Sequence, residues 1–425
     1  MDSLLFWLWL SLRCTVGSET FSKLQKTFSK PSDVYRADRA TLEEALYPYK
    51  KDLKALCNKD LSDVRRVMDY CLHQNIKIMT YESPDYPNAF REISSPPLVL
   101  YYYGEIPNLS DNLVVSVVGT RKMTEYGKKL AFEISGDLAT AGAVIVSGMA
   151  LGVDGTAHAA AINGGGKTVA ILGSGIDRIY PPTHKRLYSY IIKNGAVITE
   201  FPPHEPPERY NFPKRNRLIS AISQATVVIE GDEISGALIT GREAMKQGRV
   251  VYAVPGKIDE PTGSGTAILL KEGAKCITCA DDILNDFSVD YNGRINIFKL
   301  LKKTKINIEA VLLKMGVDSK TIKPKKSSSS PHANEHSNKA EAKNSIEDEI
   351  NSIEESAFIA ERQKVLESLG KEAIEFYERI PKNEEVYIEA IAEKGKITEA
   401  LSATTLLEIY GLIESLPGGR IRRKK

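Results

Sequence analysis

Residues 113–118 read LVVSVV and run straight into Gly119-Thr120-Arg121. The run is continuous rather than alternating, so the segment it forms expects burial on both faces, as in a parallel sheet covered by helices. Five more runs share this texture: AVIVS (143–147), TVAIL (168–172), AVITE (196–200), TVVIE (226–230) and VVYAV (250–254). Helical stretches separate them. Strand–helix alternation predicts an α/β fold, a Rossmann-like parallel sheet core at roughly 113–285 with helices on both sides.

Outward from this core the texture changes. Residues 1–80 carry apolar positions at helical spacing, as around Leu42–Leu46 and Leu61–Leu72, and predict an N-terminal helical domain. The run Leu4–Leu10 is too short to span a bilayer by a factor of about two. It follows Asp2 rather than a basic stretch, and no small-residue cleavage site follows it. It predicts the apolar first helix of that domain. Residues 81–112, rich in Pro and Tyr, predict an extended lead-in. Residues 320–356 contain SSSSPHANEHSNKAEAKNSIEDE, with too little apolar surface to offset ordering entropy, and predict a flexible linker. Residues 359–425 end in Leu416-Pro417-Gly418-Gly419 and a basic tail of Arg420, Arg422, Arg423, Lys424 and Lys425. Helices followed by a turn and a short basic strand make a winged-helix-like pattern; a solvated basic tail on a helical bundle is the other reading.

Composition narrows the classes. Lysine plus arginine is 57 and aspartate plus glutamate 55, a net charge of +2, so any case for nucleic acid rests on local patches. Five scattered cysteines form no disulfide framework, which points to a reducing compartment. With no other long apolar run, a cytoplasmic protein is expected. Cys276-Ile277-Thr278-Cys279 is a lone CxxC without a second pair or a histidine cluster, and reads as strand-end packing rather than zinc or redox chemistry.

In an open α/β sheet, ligands sit beyond the carboxyl ends of the strands. The first run ends in Gly119-Thr120-Arg121, where glycine admits close backbone approach and arginine offers a fork for phosphate. The second ends in Ser147-Gly148, with Gly152-Val153-Asp154-Gly155-Thr156-Ala157-His158 opening a helix, a site for an anion. The third ends in Gly173-Ser174-Gly175-Ile176-Asp177-Arg178 and leads to Tyr180-Pro181. The fifth ends in Glu230, and Ser235-Gly236 then opens a helix. Before that strand, Phe212-Pro213-Lys214-Arg215-Asn216-Arg217 sets three cations beside Phe212 and Tyr210, a pattern suited to tracking a backbone and stacking bases. Gly263-Ser264-Gly265-Thr266 is expected to open one further helix. Any single loop reads equally as a tight turn, and His158 alone as a packing residue; together the loops predict an anion-binding rim. Two motifs fail. Gly164-Gly165-Gly166-Lys167-Thr168 has Ala161 where a P-loop needs glycine, and it follows a helix and precedes a strand, so it is a helix cap. No GxGxxG follows the first run, and the third breaks it with Arg178, which disfavours a nicotinamide cofactor.

The series VVGTRKMTEYG, SGMALGVDGTAH, ILGSGIDRIYPPTH, TEFPP, FPKRNRLISAIS, VVIEGDEISGALIT, AVPG and GSGT resembles the DprA/Smf family in order and spacing. The resemblance implies an extended Rossmann-like domain over 81–290 that binds single-stranded DNA. It also implies protection of DNA in natural transformation, loading of RecA recombinase, and homodimers, with no cofactor, no metal, no catalytic residue and no membrane. Its binding pocket carries over onto Arg121, Gly173, Ser174, Gly175, Arg178, Phe212, Arg215, Asn216, Arg217, Ser235 and Gly236, with Lys185 on the rim. Phosphate roles are implied for Arg121, Arg215 and Arg217, and backbone-amide contacts for Gly173 to Gly175; Asn216 contacts a base or holds its loop. Buried ion-pair or packing roles stay open for Arg215 and Arg217. Flanking the core, a sterile-alpha-motif-like domain over 1–80, a helical extension and linker over 291–358, and a winged helix over 359–425 fit the family in size or pattern. Two alternatives remain. Nucleotide phosphoribohydrolases use a related fold but place a Glu soon after a glycine-rich turn, whereas after Glu230–Gly236 none comes before Glu243. A nucleotide sensor whose winged helix grips duplex DNA is the other.

Overall fold

In the computed structural model, residues 2–48, 50–257, 260–291, 293–296, 299–300 and 306–317 are described, and beyond them 371–381, 385–392, 400, 403–404, 407, 413–416 and 420–423. The six apolar runs become parallel strands β3 (Val114–Val118), β4 (Val144–Ser147), β5 (Thr168–Ile171), β6 (Gly195–Thr199), β7 (Ala225–Val228) and β8 (Val250–Ala253). Three further strands of the same sheet went unforeseen: β1 (Lys77–Thr80), β2 (Val99–Gly104) and β9 (Lys275–Cys276). The nine-stranded sheet runs β1-β2-β6-β5-β4-β3-β7-β8-β9. β9 extends the parallel set, while β2 pairs antiparallel with β6, and β1 with β2. The sheet is therefore mixed. The stretch 81–112, expected as an extended lead-in, supplies an internal strand, and Lys77–Thr80 adds a strand to the predominantly helical start of the chain.

The side chains of β3 explain its continuous apolar pattern. Val114 and Val118 enter one core, with Leu218, Ile219, Leu238 and Leu269 from the helices on that face. Val115 and Val117 enter the opposite core, with Ile134, Leu138 and Ala157. Ser116, also buried, donates to the Thr226 hydroxyl at 2.7 Å, so its polar group is satisfied inside the sheet. β2 is likewise covered on both faces: Tyr101 packs in one cluster and Leu100 in another.

The apolar start of the chain is the helix Asp2–Arg13, as expected. Trp7, Leu8, Trp9 and Leu10 are buried in one cluster with Leu98, Val99 and Tyr101. Arg13 closes the helix by donating to Asp63 Oδ2 at 2.6 Å and to the Asp60 carbonyl at 2.8 Å. Gly164 caps the helix Val153–Asn163 before β5, which bears out the rejection of a P-loop. Gly263–Thr266 lie inside the helix Pro261–Lys271 instead of opening it. Cys276 and Cys279 are both exposed, so strand-end packing does not account for them.

Residues 1–326 and 327–425 form separate compact units. The second contains the helices Lys371–Glu378 and Ile388–Ile391 and strands β10 (Val386–Tyr387), β11 (Ile413–Leu416) and β12 (Arg420–Arg423), in the antiparallel order β10-β12-β11. Its basic strand is internally engaged: Arg420 meets Glu385 at 2.9 Å, Arg422 pairs with Glu414, and Arg423 donates to the Tyr377 carbonyl at 2.7 Å. Lys424, Lys425 and the expected linker 320–356 lie outside the described residues. Among the described residues no helix is long and apolar enough to cross a membrane.

Candidate nucleic-acid interface

Because β3 to β9 run parallel, their carboxyl ends share one edge of the sheet. The chain winds away from β3 in both directions, through β4 on one side and β7 on the other, and the crevice of such a fold opens at that switch. The loops after β3, β4, β5 and β7 therefore converge as expected. Gly152 adopts φ +77° where the loop after β4 turns into the helix Val153–Asn163, a conformation that side-chain-bearing residues resist.

Phe212 is the centre of the cluster. It begins the helix Asn211–Ala221 with Pro213 and Lys214. The Arg121 guanidinium lies 5.1 Å from its ring centre and that of Arg215 5.8 Å. The ring of Tyr180 sits at 5.6 Å, tilted by 45°. Gly173 lies so close that a Cβ there would come within 2.9 Å of the Phe212 ring. Arg121 and Lys122 are exposed on the loop after β3. Arg178 is 55% exposed, with Asp177 3.9 Å away, and Lys185 is exposed at the start of the helix Lys185–Asn194.

The fold divides the cations of 214–217. Lys214 stays partly exposed, whereas Arg215 and Arg217 turn inward and are buried. Arg215 donates to the carbonyls of Gly148, at 2.8 Å, and Ile171, tying the loops after β4 and β5 together. Asp154 stands nearby and accepts from the Gly148 amide at 3.1 Å. Burial pulls the Arg215 guanidinium down to about 10, with Asp154 opposing the shift and Arg121 adding to it. Burial raises the Asp154 carboxyl, and Arg215 draws it back. Arg217 pairs with Glu200 beyond β6; burial raises the Glu200 carboxyl, and Arg217 offsets this. Of the two readings left open for these arginines, the structure displays the ion-pair and packing one.

The other expected residues fall into two groups. Gly173, Ser174 and Gly175 are buried beneath the rim. Ser174 donates to the Arg178 carbonyl at 2.8 Å, and the Gly175 amide to the Glu205 carbonyl at 2.9 Å. Ser235 caps the helix Gly236–Lys246 by accepting from Leu238 at 3.2 Å. Asn216 accepts from Arg215 at 3.1 Å and reaches the exposed Gly236 carbonyl at 3.4 Å, so here it holds the loop. Glu230 accepts from the amide of Thr124 at 2.9 Å and from its hydroxyl, bracing the start of the helix Glu125–Ala141. His158 is fully buried, its Nδ1 2.7 Å from the Thr168 hydroxyl; burial first, then His184 and Arg215, pull it down to about 3, so it is neutral. Among the described residues no three His, Cys, Asp or Glu side chains are placed to hold a metal. Sequence reasoning missed Glu200 and Lys122 as site residues and gave Asp154 and Tyr180 no role of their own, because their pairing or exposure is a tertiary property; Lys214 and Tyr210 it named only as part of the basic, aromatic stretch.

Comparison with known proteins places this geometry. The family model described as DNA recombination-mediator protein A matches residues 77–288, which hold the whole rim. DNA processing protein DprA of Bacillus subtilis (strain 168) is 38% identical over 221 residues, 52% of this chain and 74% of that protein. Protein Smf of Synechocystis is 34% identical over 283 residues, 66% of this chain and 71% of that protein. The X-ray structure of DNA processing protein A from Streptococcus pneumoniae aligns with a TM-score of 0.56 at 30% identity, covering 64% of this chain and 93% of that one.

Proposed function

The chain belongs to the DNA recombination-mediator protein A family, the DprA/Smf proteins, and on that premise we propose that its strand-end rim binds single-stranded DNA without catalysis. The observation that carries the reading is Arg121, exposed at the switch point with its guanidinium fixed 5.1 Å from Phe212. A guanidinium already oriented by a ring forfeits less side-chain entropy on meeting a phosphate. Lys122, Arg178, Lys185 and Lys214 add exposed or half-exposed cations on the strand-end loops and the helices they lead into, and Tyr180 and Tyr210 add aromatic surface. Cations interleaved with rings fit a strand whose bases are unpaired. Gly173, Ser174, Asn216, Ser235 and Gly236 shape the rim floor, with Arg215 and Arg217 beneath it. In this reading the bound strand is protected and passed to a RecA-type recombinase, and the protein acts as a homodimer in natural transformation; the family's description as a recombination mediator supports this.

Fluorescence anisotropy with labelled poly-dT and a duplex of equal length tests it, on wild type and Arg121→Ala/Arg178→Ala at two salt concentrations. The expected result is tighter binding to the single strand, weakening with salt and abolished in the double variant. Absence of single-strand binding by the wild type overturns the reading and favours a nucleotide ligand, to be checked by release of free base from nucleoside monophosphates.

A further inference from the structure

His204 stands in the loop after β6 with its backbone at φ +71°, in the left-handed region that glycine occupies freely and a side-chain-bearing residue enters at a cost. The turn aims two groups at one carboxylate. The His204 amide donates to Asp177 Oδ1 at 2.8 Å, and the ring Nδ1 lies 2.7 Å from Asp177 Oδ2. Glycine would supply the same amide, so the fold needs the turn and not the ring. The ring is nevertheless held. Tyr70, from the helix Ser62–His73, meets it edge to face with centres 4.3 Å apart, and the Tyr70 hydroxyl donates to Asp177 Oδ2 at 3.3 Å. The His204 side chain is still 56% exposed. It belongs to the rim: a Cβ on Gly175 would come within 2.9 Å of the His204 amide nitrogen.

Asp177 also faces Arg178, whose Nε is 3.9 Å from the same Oδ2. A carboxylate only accepts, so the neutral ring keeps its proton on Nδ1 and leaves Nε2 an acceptor, which a phosphate oxygen avoids. Protonation makes Nε2 a donor. It also balances the charge of Asp177 and so frees Arg178. The remaining titratable groups near Asp177 do not compete. Tyr70, Tyr103, Tyr188 and Cys71 are raised by burial first and by Asp177 after it, and stay uncharged. Glu205, next in the loop, turns to Asn211 and accepts from its Nδ2 at 3.2 Å.

We propose that His204 is a proton-linked phosphate-binding residue of the rim, which donates from Nε2 to the strand when the ring is cationic and releases Arg178 for a second contact. This contact rests on the single-strand reading above and adds that binding takes up a proton. Imidazole is the side chain whose ordinary charge change falls between about pH 5 and pH 8.

Poly-dT affinity is measured by fluorescence anisotropy at about pH 6 and about pH 8, at fixed ionic strength, for wild type, His204→Gly and Asp177→Asn. Wild type is expected to bind about 2- to 5-fold more tightly at the lower pH, the scale of an exposed ion pair. Its slope of log K against log salt is expected to steepen there by about 0.7 for each phosphate newly neutralised. His204→Gly keeps the turn and the amide bond to Asp177. It is expected to resist urea at the higher pH at least as well as wild type, and to lose the pH difference in affinity. Asp177→Asn is expected to bind at the higher pH about as tightly as wild type does at the lower. Equal pH dependence in wild type and His204→Gly overturns the proposal, as does a His204→Gly variant that loses affinity by the same factor at both pH values. Wild type that binds poly-dT at neither pH overturns the single-strand reading itself.

Discussion

Arg217 and Glu200 have side chains only 9% and 4% exposed, and each is the other's counterion. Removing one partner strands a charge in a dry site, which costs about 3–5 kcal/mol, whereas replacing both by apolar groups is close to neutral. Arg217→Met and Glu200→Leu are each expected to lower stability by about that amount, and the double variant to recover most of it, as measured by urea unfolding. His158 sets a different dependence. Its folded form titrates at about 3 rather than near the ordinary 6.5, so between these values the unfolded chain binds a proton that the folded chain does not. Stability therefore falls as pH drops from about 6.5 toward about 3, with a slope approaching 1.4 kcal/mol per pH unit from this group, and is independent of it above 6.5. His158→Asn is expected to flatten the profile by that slope. An unchanged profile in denaturation across this window contradicts the assignment.

At the scale of elements, the helix Asn211–Ala221 turns a basic sequence into two layers. Successive residues rotate by roughly 100°, so Arg215 and Arg217 leave the helix on opposite sides, one toward the carbonyls of Gly148 and Ile171 and the other toward Glu200. Lys214 stays at the surface, while Arg215 and Arg217 brace the floor. The loop after β5 fixes the upper layer through Gly173 and the Phe212 ring. Gly173→Ala sets a Cβ 2.9 Å from that ring, displacing Phe212 and with it Arg121. For a single strand, each phosphate that the protein ceases to neutralise lowers the slope of log K against log salt by about 0.7. That decrease, read from titrations at several salt concentrations, is expected for Gly173→Ala; an unaltered slope argues that Phe212 does not hold Arg121.

Over the whole molecule, the N-terminal helices and the sheet share a core. Trp9 is fully buried and joins Tyr101 of β2 in one cluster. Trp9→Ala is expected to cost about 3–5 kcal/mol, and because the cluster continues to Leu172 and Ile176 in the loop after β5, it also loosens the rim. Chemical unfolding and poly-dT affinity measured together check this. A large drop in stability with unchanged affinity at low denaturant separates the core from the site.

The six parallel strands and the glycine-rich loops at their ends were legible in the sequence. Runs such as LVVSVV are apolar without alternation, which only burial on both faces explains, and Gly119, Gly152 and Gly173 mark where the backbone turns or another group approaches. The family likeness was legible because the rim motifs keep their order along the chain. Lys275–Cys276 is too short to carry a pattern, Lys77–Thr80 is an edge strand with only Met79 and Thr80 buried, and Val99–Gly104, inserted antiparallel beside β6, is identified by its partner and not by its own residues. The fate of each cation was a tertiary matter too. Arg121, Arg215 and Arg217 are the same residue type in similar company, and what separates them is Phe212 beside the first, two carbonyls around the second and Glu200 against the third. Local sequence sets which groups the chain can offer; long-range packing, by choosing which are dehydrated and paired, decides which are left for a ligand.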